Sequence, residues 1–380
     1  MQPIIIVGSG LAGYTVAREF RKLDATTPLK IVSRDCGSFY SKPMLSNVFH
    51  QKKDPAKIAS YSAAQMAEQL HAEVLPYSSV TALDPATRTI QINHQDTGYQ
   101  SLVLALGADQ RRIDLAGDAA EDVLSVNDLA DYLRFHTLLH DKRRVAILGA
   151  GLIGCEFAND LTSGGITVDL IDPASWPLSR FLPEPAGQVM ADALSGIGVQ
   201  LWPGCTPVAV DRSDDGYRLS LSGGKSLQVD LVLSAIGLVP RIMLAQAAGL
   251  TTARGIVTDA CLRTSAEHVY AIGDCAEVEN LLLPYVMPIM QCARALAKTL
   301  FGTPAKVTYP AMPVVVKTPA MPTVVAPPLQ QDGAWETDGK AGSMRAVYRN
   351  ADSSVGGFAL LGDRVEEKGA LLKQIAPWRI

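Results

Sequence analysis

The sequence predicts an α/β fold with two similar βαβ units and a small α+β unit at the C-terminal end. An apolar run at residues 4–7 is followed by the pattern G-x-G-x-x-G and then by a helical pattern. The same succession returns at residues 144–161, with its first glycine 149 − 8 = 141 positions later. Beyond residue 313 the chain changes to short β-rich runs before a final helical segment. Two copies of one strand, turn and helix pattern make chance a poor explanation for either.

The first glycine pattern predicts a dinucleotide site. Gly8 permits the tight turn, Gly10 lets the backbone approach a pyrophosphate, and Gly13 lets the following helix, residues 14–23, pack closely on the strand. The phosphates then lie at the positive end of that helix. The residues expected to contact this nucleotide are Gly8, Ser9, Gly10, Leu11, Ala12 and Gly13.

The next strand, residues 29–33, ends beside two charged residues. A dinucleotide fold presents an acid to the ribose about 20 residues after the glycines. Here Arg34 could stack on adenine, and Asp35 is the nearest acid. The alternative is that both are ordinary loop charges.

A loop at residues 37–46 carries one cation, Lys42, which is followed by Pro43. The proline partly fixes the backbone, which suits a lysine that holds its ammonium against a ring nitrogen or a phosphate. A solvated loop lysine is the alternative. The alanine-rich stretch at residues 54–75 then predicts a helix, and an apolar strand ending at Gly107 predicts the exit from the first unit.

The second copy of the pattern ends in a clearly placed acid. A strand leads into Gly149, Gly151 and Gly154, and the following strand ends at Asp172, 172 − 149 = 23 residues after the first of them. We take Asp172 to occupy the place of Arg34 in the first copy. A carboxylate there accepts hydrogen bonds from a free ribose 2′-OH and repels a 2′-phosphate, so the sequence favours NADH over NADPH.

The C-terminal part of the chain first returns to the first unit and then forms a third unit. Residues 236–241 predict the exit from the second unit, and Asp274 ends a strand-like run, where it could hold a polyol hydroxyl. We therefore predict three domains. The first contains residues 1–109 and 240–312, the second 110–239, and the third, an α+β domain, 313–380.

The composition excludes several classes of function. The 380 residues carry a net charge of −4 and no polybasic tract, so no nucleic-acid partner is expected. No apolar run approaches the roughly 18 residues of a membrane helix and nothing resembles a signal peptide, so we expect no membrane insertion and a cytoplasmic location. The six cysteines form no C-x-x-C and no zinc spacing, so we expect no metal site and mostly buried, structural cysteines.

Together these features resemble the pyridine-nucleotide flavoprotein disulfide reductase superfamily over the whole chain. The resemblance implies two Rossmann-like domains, of which the first holds FAD and the second holds NADH as substrate. It also implies that Asp274 binds the ribityl or pyrophosphate region of FAD. The expected cofactor-binding residues beyond the first glycine pattern are Arg34, Asp35, Lys42, Pro43, Val80, Ala105, Gly107, Gly149, Gly151, Leu152, Ile153, Gly154, Glu156, Asp172, Gly237, Gly273, Asp274, Val286 and Lys317.

Cysteine usage narrows the reaction that the resemblance implies. A disulfide reductase of this superfamily needs a redox-active cysteine pair beside the flavin, and the sequence offers none. The one-cysteine NADH oxidases and peroxidases have Ser-Phe-Leu-Ser-Cys where this chain has residues 38–42, so Lys42 replaces the reactive cysteine. Electrons are then expected to pass from the flavin directly to a one-electron protein acceptor.

Four segments, residues 40–46, 149–161, 285–288 and 316–319, resemble the members that reduce rubredoxin for bacterial alkane hydroxylases. This resemblance implies hydride transfer from NADH to the flavin, followed by transfer of single electrons to the iron of rubredoxin. The alternatives are a ferredoxin reductase of an oxygenase system, an NADH oxidase that uses oxygen, and a flavoprotein that binds or senses NAD without turnover.

Three residues are expected to act at the flavin. The resemblance implies that Lys42 hydrogen-bonds near flavin N5, that Lys317 lies near the same ring, and that Glu156 faces the flavin, where it could pair with a lysine. For Glu156 the alternative is a carboxylate in the first helical turn that only interacts with the helix dipole.

Overall fold

The computed structural model describes residues 2–329 and 332–377 and has the predicted α/β architecture. The first sheet is parallel throughout, with Ile4–Val7 at its centre. Ile4, Ile5 and Ile6 are apolar on both faces of the strand and fully buried, as a central parallel strand requires. The spatial order of the strands is Val269–Ala271, Ser101–Leu104, Ile4–Val7, Leu29–Val32 and Glu73–Leu75.

The first sheet is completed by chain that returns from far downstream. Val269–Ala271 pairs with Ser101–Leu104, and Val286–Leu300 packs against the first helix, Leu11–Arg21. The α-helices of the described residues are Leu11–Arg21, Ala63–Leu70, Leu129–Leu138, Leu152–Ser163, Glu184–Gly196, Met243–Ala247, Val286–Leu300 and Lys368–Leu372. Within residues 2–329 and 332–377, each helix is too short or too polar to span a lipid bilayer.

The second sheet repeats the design of the first. Arg144–Leu148 is its central strand, and the helix Leu152–Ser163 follows the second glycine pattern. All strands are parallel, in the spatial order Gln200–Pro203, Thr167–Asp172, Arg144–Leu148, Leu231–Ser234 and Leu124–Ser125.

The register of the two units corrects one sequence prediction. The amide of Gly8 donates to the carbonyl oxygen of Val32 at 2.8 Å, and the amide of Gly149 donates to that of Ile171 at 2.7 Å. The residue equivalent to Asp172 is therefore Ser33, and not Arg34, because the strand in the first unit ends one residue earlier than predicted.

Smaller sheets join the main ones. Leu238–Pro240 pairs antiparallel with Ala108–Gln110, so the segments that leave and re-enter the first unit run side by side. Ile256–Thr258 pairs with Ala276–Val278 in parallel. The two three-stranded antiparallel sheets contain Val80–Asp84, Thr89–Ile92 and Gln95–Gly98, and Pro207–Ser213, Gly216–Leu221 and Ser226–Val229.

The C-terminal unit is an antiparallel sheet followed by short helical turns. Val314–Val316, the strand at one edge of this sheet, leads directly to Lys317. Residues 330–331 and 378–380 of the predicted domain 313–380 lie outside the described residues. The strands follow the spatial order Val314–Val316, Thr323–Ala326, Val355–Leu361, Ser343–Arg349 and Ala334–Lys340.

The predicted helix over residues 54–75 is wrong in its extent. A short 3-10 turn, Pro55–Lys57, is followed by an extended segment, and the α-helix is limited to Ala63–Leu70. Ser62 and Gln65 form a capping box that starts this helix, and His71 ends it in the left-handed region, at φ 44°. Alanine content overestimated the helix because it carries no information about these terminal signals.

Candidate functional site

A cleft of about 1370 Å³ lies between the three units. It contains 18 of the residues predicted to bind a cofactor: Gly8, Ser9, Gly10, Leu11, Ala12, Arg34, Asp35, Lys42, Pro43, Val80, Ala105, Gly107, Leu152, Ile153, Glu156, Asp274, Val286 and Lys317. The other predicted residues, Gly13, Gly149, Gly151, Gly154, Asp172, Gly237 and Gly273, do not line this cleft.

The glycines of the first turn divide into packing residues and an open one. A Cβ at Gly8, which has φ +119°, would overlap the carbonyl oxygen of Ala105, and a Cβ at Gly13 would overlap that of Gly8. A Cβ at Gly10 would meet no protein atom within 4 Å. The middle glycine therefore faces open space at a helix N-terminus, where a phosphate group fits.

The glycines of the second turn behave in the same way. A Cβ at Gly154 would overlap the carbonyl oxygen of Gly149, whereas a Cβ at Gly151 would meet nothing within 4 Å. Asp172 accepts hydrogen bonds from the amides of Ala150 at 2.6 Å and Ala174 at 2.8 Å, and it borders a separate hollow of about 140 Å³. The structure thus holds Asp172 against the second turn, and the three glycines of that turn do not line the hollow.

The acid of the first unit is already engaged by the protein. Asp35 Oδ1 accepts hydrogen bonds from the Ser33 hydroxyl at 2.6 Å and the Gly37 amide at 2.8 Å. The hydroxyls of Ser33 and Ser9 also lie 2.5 Å apart. Arg34 is exposed at the edge of the cleft and makes no hydrogen bond or ion pair within the described residues. Asp35 Oδ1 therefore organises the loop, while Asp35 Oδ2 and the Arg34 guanidinium accept or donate no hydrogen bond among the described residues and both residues line the cleft.

Lys42 is held by a neutral partner that no sequence pattern predicted. Its Nζ donates to Asn127 Oδ1 at 2.6 Å, and Asn127 Nδ2 donates to the carbonyl oxygen of Ala108 at 2.8 Å. Burial lowers the pKa of Lys42, and the charge of Asp274 acts in the opposite direction. The loop lysine is therefore an ordered residue of the cleft and not a solvated one.

Asp274 fits the predicted contact with a cofactor. Burial raises the pKa of this carboxyl group, while Lys42 and Arg241 act to lower it. Its side chain accepts no hydrogen bond from any described residue, although it lines the cleft. The half-buried carboxylate of Asp274 therefore has free acceptor atoms in the cleft, and the hydroxyls of the ribityl chain of FAD can donate to them.

Glu156 connects all three units at the cleft. Its carboxylate is only 6% exposed; it accepts a hydrogen bond from the Ser46 hydroxyl at 2.6 Å and another from the Lys317 amide at 3.0 Å. It also forms an ion pair with Lys317 Nζ. Glu156 is the fifth residue of the helix Leu152–Ser163, so the alternative of a carboxylate in the first helical turn is wrong.

The next turn of the same helix holds two segments that the sequence reasoning did not connect. Asp160, which is 1% exposed, accepts hydrogen bonds from three successive amides, those of residues 48–50, at 2.8 to 3.2 Å. Asn159 accepts one from the amide of Ala320 at 3.0 Å. A usable signal existed, because Glu156 and Asp160 are four residues apart and therefore share one face of a largely apolar helix.

Arg241 connects the two chain segments that run between the first and second units. Its guanidinium donates to the carbonyl oxygen of Leu106 at 2.7 Å and to Asp109 Oδ1 at 2.7 Å. The Arg241 amide donates to the carbonyl oxygen of Gly107 at 3.0 Å. Gly237, which has φ +112°, precedes this crossover, and Gly273 packs against Ala12 in the first turn. These two predicted glycines therefore support residues of the cleft without lining it.

The prediction that most cysteines are buried structural residues is confirmed. All six are free, and Cys36 is half-buried while the others are buried. Among the described residues that line the large cleft there is no cysteine.

Comparisons with known proteins agree with this geometry. The family model described as pyridine nucleotide-disulphide oxidoreductase matches residues 2–298, and the one described as rubredoxin binding C-terminal domain matches residues 306–375. The chain is 48% identical over 377 residues to a rubredoxin-NAD(+) reductase from Alcanivorax borkumensis, covering 99% of each. It is 45% identical over 386 residues to another from Acinetobacter baylyi, covering 99% of this chain and 98% of the relative.

Similarity in structure extends over the same length. The crystal structure of a ferredoxin reductase from Rhodopseudomonas palustris superposes with a TM-score of 0.89 at 25% identity, covering 99% of this chain and 96% of the other. FAD is the characteristic cofactor of proteins with this fold, and the fold class predicted from the sequence is confirmed. The chain belongs to the pyridine nucleotide-disulphide oxidoreductase family.

Proposed function

We propose that this chain is an FAD-dependent reductase that transfers electrons from NADH to rubredoxin. In this proposal residues 1–109 and 240–312 hold FAD, residues 110–239 hold NADH, and residues 313–380 contribute to rubredoxin binding. The matches to a rubredoxin-binding domain model and to two rubredoxin-NAD(+) reductases support the choice of acceptor.

One observation carries the proposal. Lys42, Glu156 and Lys317 belong to three different units, and all of them line one cleft. None of the described residues in this cleft is a cysteine, so a thiol relay has no groups to act through there. This arrangement supports a direct exit of electrons from a bound flavin to a protein acceptor.

The chain's own residues bind and orient the reactants. The open backbone at Gly10 suits the pyrophosphate of FAD, and Asp274 suits its ribityl hydroxyls. When bound, FAD would accept a hydride from NADH and release the two electrons singly. Lys42 supplies a fixed positive charge in the cleft, and Glu156 neutralises Lys317 and holds the strand Val314–Val316 against the second unit.

NADH selection rests on Asp172. Its carboxylate lies at the strand end beside the open backbone of Gly151, where it can accept hydrogen bonds from a ribose 2′-OH. The same negative charge would repel the 2′-phosphate of NADPH. We further propose that the protein acts in the cytoplasm and supplies electrons to an alkane hydroxylase.

Anaerobic stopped-flow mixing tests the proposal in two stages. NADH is expected to bleach the flavin absorbance within seconds, and a second mixing with oxidised rubredoxin is expected to restore it. Failure of NADH to bleach the flavin would remove the reductase assignment and leave a nucleotide-binding flavoprotein. Bleaching without recovery in the presence of rubredoxin would remove rubredoxin as the acceptor.

A further inference from the structure

Asn127 is a buried polar residue for which the sequence predicted no role. It follows the edge strand Leu124–Ser125 and precedes Asp128, the N-cap of the helix Leu129–Leu138. It is 7% exposed and lines the large cleft. It belongs to the predicted second domain, whereas Lys42, which it contacts, belongs to the first.

The hydrogen bonds of Asn127 determine which way its amide faces. Its Nδ2 donates to the carbonyl oxygen of Ala108 at 2.8 Å, and its backbone amide donates to Asp131 Oδ2 at 2.9 Å. A carbonyl oxygen can only accept, so the amide nitrogen must face Ala108. Asn127 Oδ1 is then directed at Lys42 Nζ, 2.6 Å away.

The two lysines of the cleft differ in whether a carboxylate pairs with the ammonium group. Lys317 forms an ion pair with Glu156. Lys42 has no carboxylate within ion-pair distance among the described residues, although Asp274 acts on it from further away. A neutral amide holds the ammonium in place without cancelling its charge, which leaves that charge to act on a bound group.

Building on the proposed flavin site, we infer that Asn127 is a positioning residue that directs the ammonium of Lys42, which has no carboxylate at ion-pair distance among the described residues, into the cleft. A fixed cation favours the more negative, reduced form of a redox group bound beside it. Asn127 therefore acts through Lys42, and it contributes to the reduction potential and the rate of flavin reduction without contacting NADH.

Two substitutions of Asn127 should change the reduction potential of the bound flavin to different extents. Asn127→Asp adds a carboxylate against Lys42, so it should make the midpoint potential of the bound flavin more negative; it also removes the donor to the carbonyl oxygen of Ala108. Asn127→Ala removes the acceptor but leaves the charge, so its shift should be smaller. Both should slow flavin reduction by NADH, the aspartate by about tenfold, because its carboxylate offsets the charge of Lys42. The KM for NADH should be unchanged.

A double-mutant cycle separates positioning from a merely structural role. The holoprotein variants are measured by spectroelectrochemistry with and without Lys42→Ala, and Asn350→Asp, in a turn of the C-terminal sheet, controls for the added charge. The shift caused by Asn127→Ala should appear with Lys42 present and vanish in Lys42→Ala, and the shift caused by Asn127→Asp should become smaller there because only the direct effect of the added charge remains. Equal shifts in both backgrounds, or none in the Lys42 background, would overturn the inference. Asn127→Ala serves the cycle alone if the aspartate variant does not fold. Failure of NADH to reduce the wild-type flavin would instead overturn the proposed function.

Discussion

Removing the carboxylate of Glu156 should destabilise the protein far more than removing an ordinary surface carboxylate. Glu156→Ala deletes the acceptor for Ser46 Oγ, the Lys317 amide and Lys317 Nζ, and it leaves the ammonium of Lys317 unpaired. Breaking a buried ion pair costs about 3–5 kcal/mol. The side chain of Lys317 is 23% exposed, so solvent reduces this cost to about 2–3 kcal/mol.

This magnitude distinguishes the connection between units from a simple helix-dipole effect. A carboxylate that interacts only with a helix dipole contributes about 0.3–1 kcal/mol. Glu156→Gln keeps one acceptor oxygen and should lose about 1–2 kcal/mol. The matched control is Glu336→Ala, which breaks the exposed ion pair with Arg349 and should cost less than about 1 kcal/mol.

Guanidinium unfolding of the FAD-loaded protein, followed by circular dichroism, measures these differences. The cycle of Glu156→Ala and Lys317→Ala, singly and together, isolates the coupling between the two residues, which should exceed about 1 kcal/mol. A Glu156→Ala variant no less stable than Glu336→Ala, together with a coupling near zero, would show that Glu156 does not hold the units together.

Three further predictions concern the turns and the loop lysine. Gly10→Ala should fold normally but bind FAD more weakly in a cofactor titration, whereas Gly13→Ala should lower the yield of folded protein. Asp172→Asn should raise kcat/KM for NADPH relative to NADH, and an unchanged ratio would contradict its assigned role. Burial lowers the pKa of Lys42, so its ammonium should lose its proton at a pH below 10.5. Flavin reduction should therefore slow as the pH rises through this inflection. Lys42→Ala should retain FAD, reduce it more slowly and lack the inflection.

The parts of the fold that could be predicted are those with local sequence signals. Gly8 and Gly149 follow runs of apolar β-prone residues and precede helical patterns, and the spacing of the glycines together with these flanks predicts a tight turn before a helix. Lys42 stood out because of Pro43, and Asp172 because it ends a strand. Each of these signals lies within a few residues of the feature it predicts.

The residues that could not be predicted make contacts between distant segments. Asn127 meets Lys42 from 85 positions away, and Asp160 meets the amides of residues 48–50 from 110 to 112 positions away. The spacing of Glu156 and Asp160 indicates a shared polar face on their helix, but no local pattern encodes which segments pack against that face, so the partners became visible only in the folded chain. The equivalence of Ser33 with Asp172 likewise depends on hydrogen-bond register, which sequence spacing misjudged by one residue.

A comparison of two electron acceptors identifies the physiological class of acceptor directly. Steady-state NADH oxidation is followed with purified rubredoxin and, separately, with a [2Fe-2S] ferredoxin, at matched ionic strength because docking of charged partners depends on salt. We expect the larger kcat/KM with rubredoxin. A large preference for the ferredoxin would contradict the assignment and indicate a ferredoxin reductase on the same scaffold.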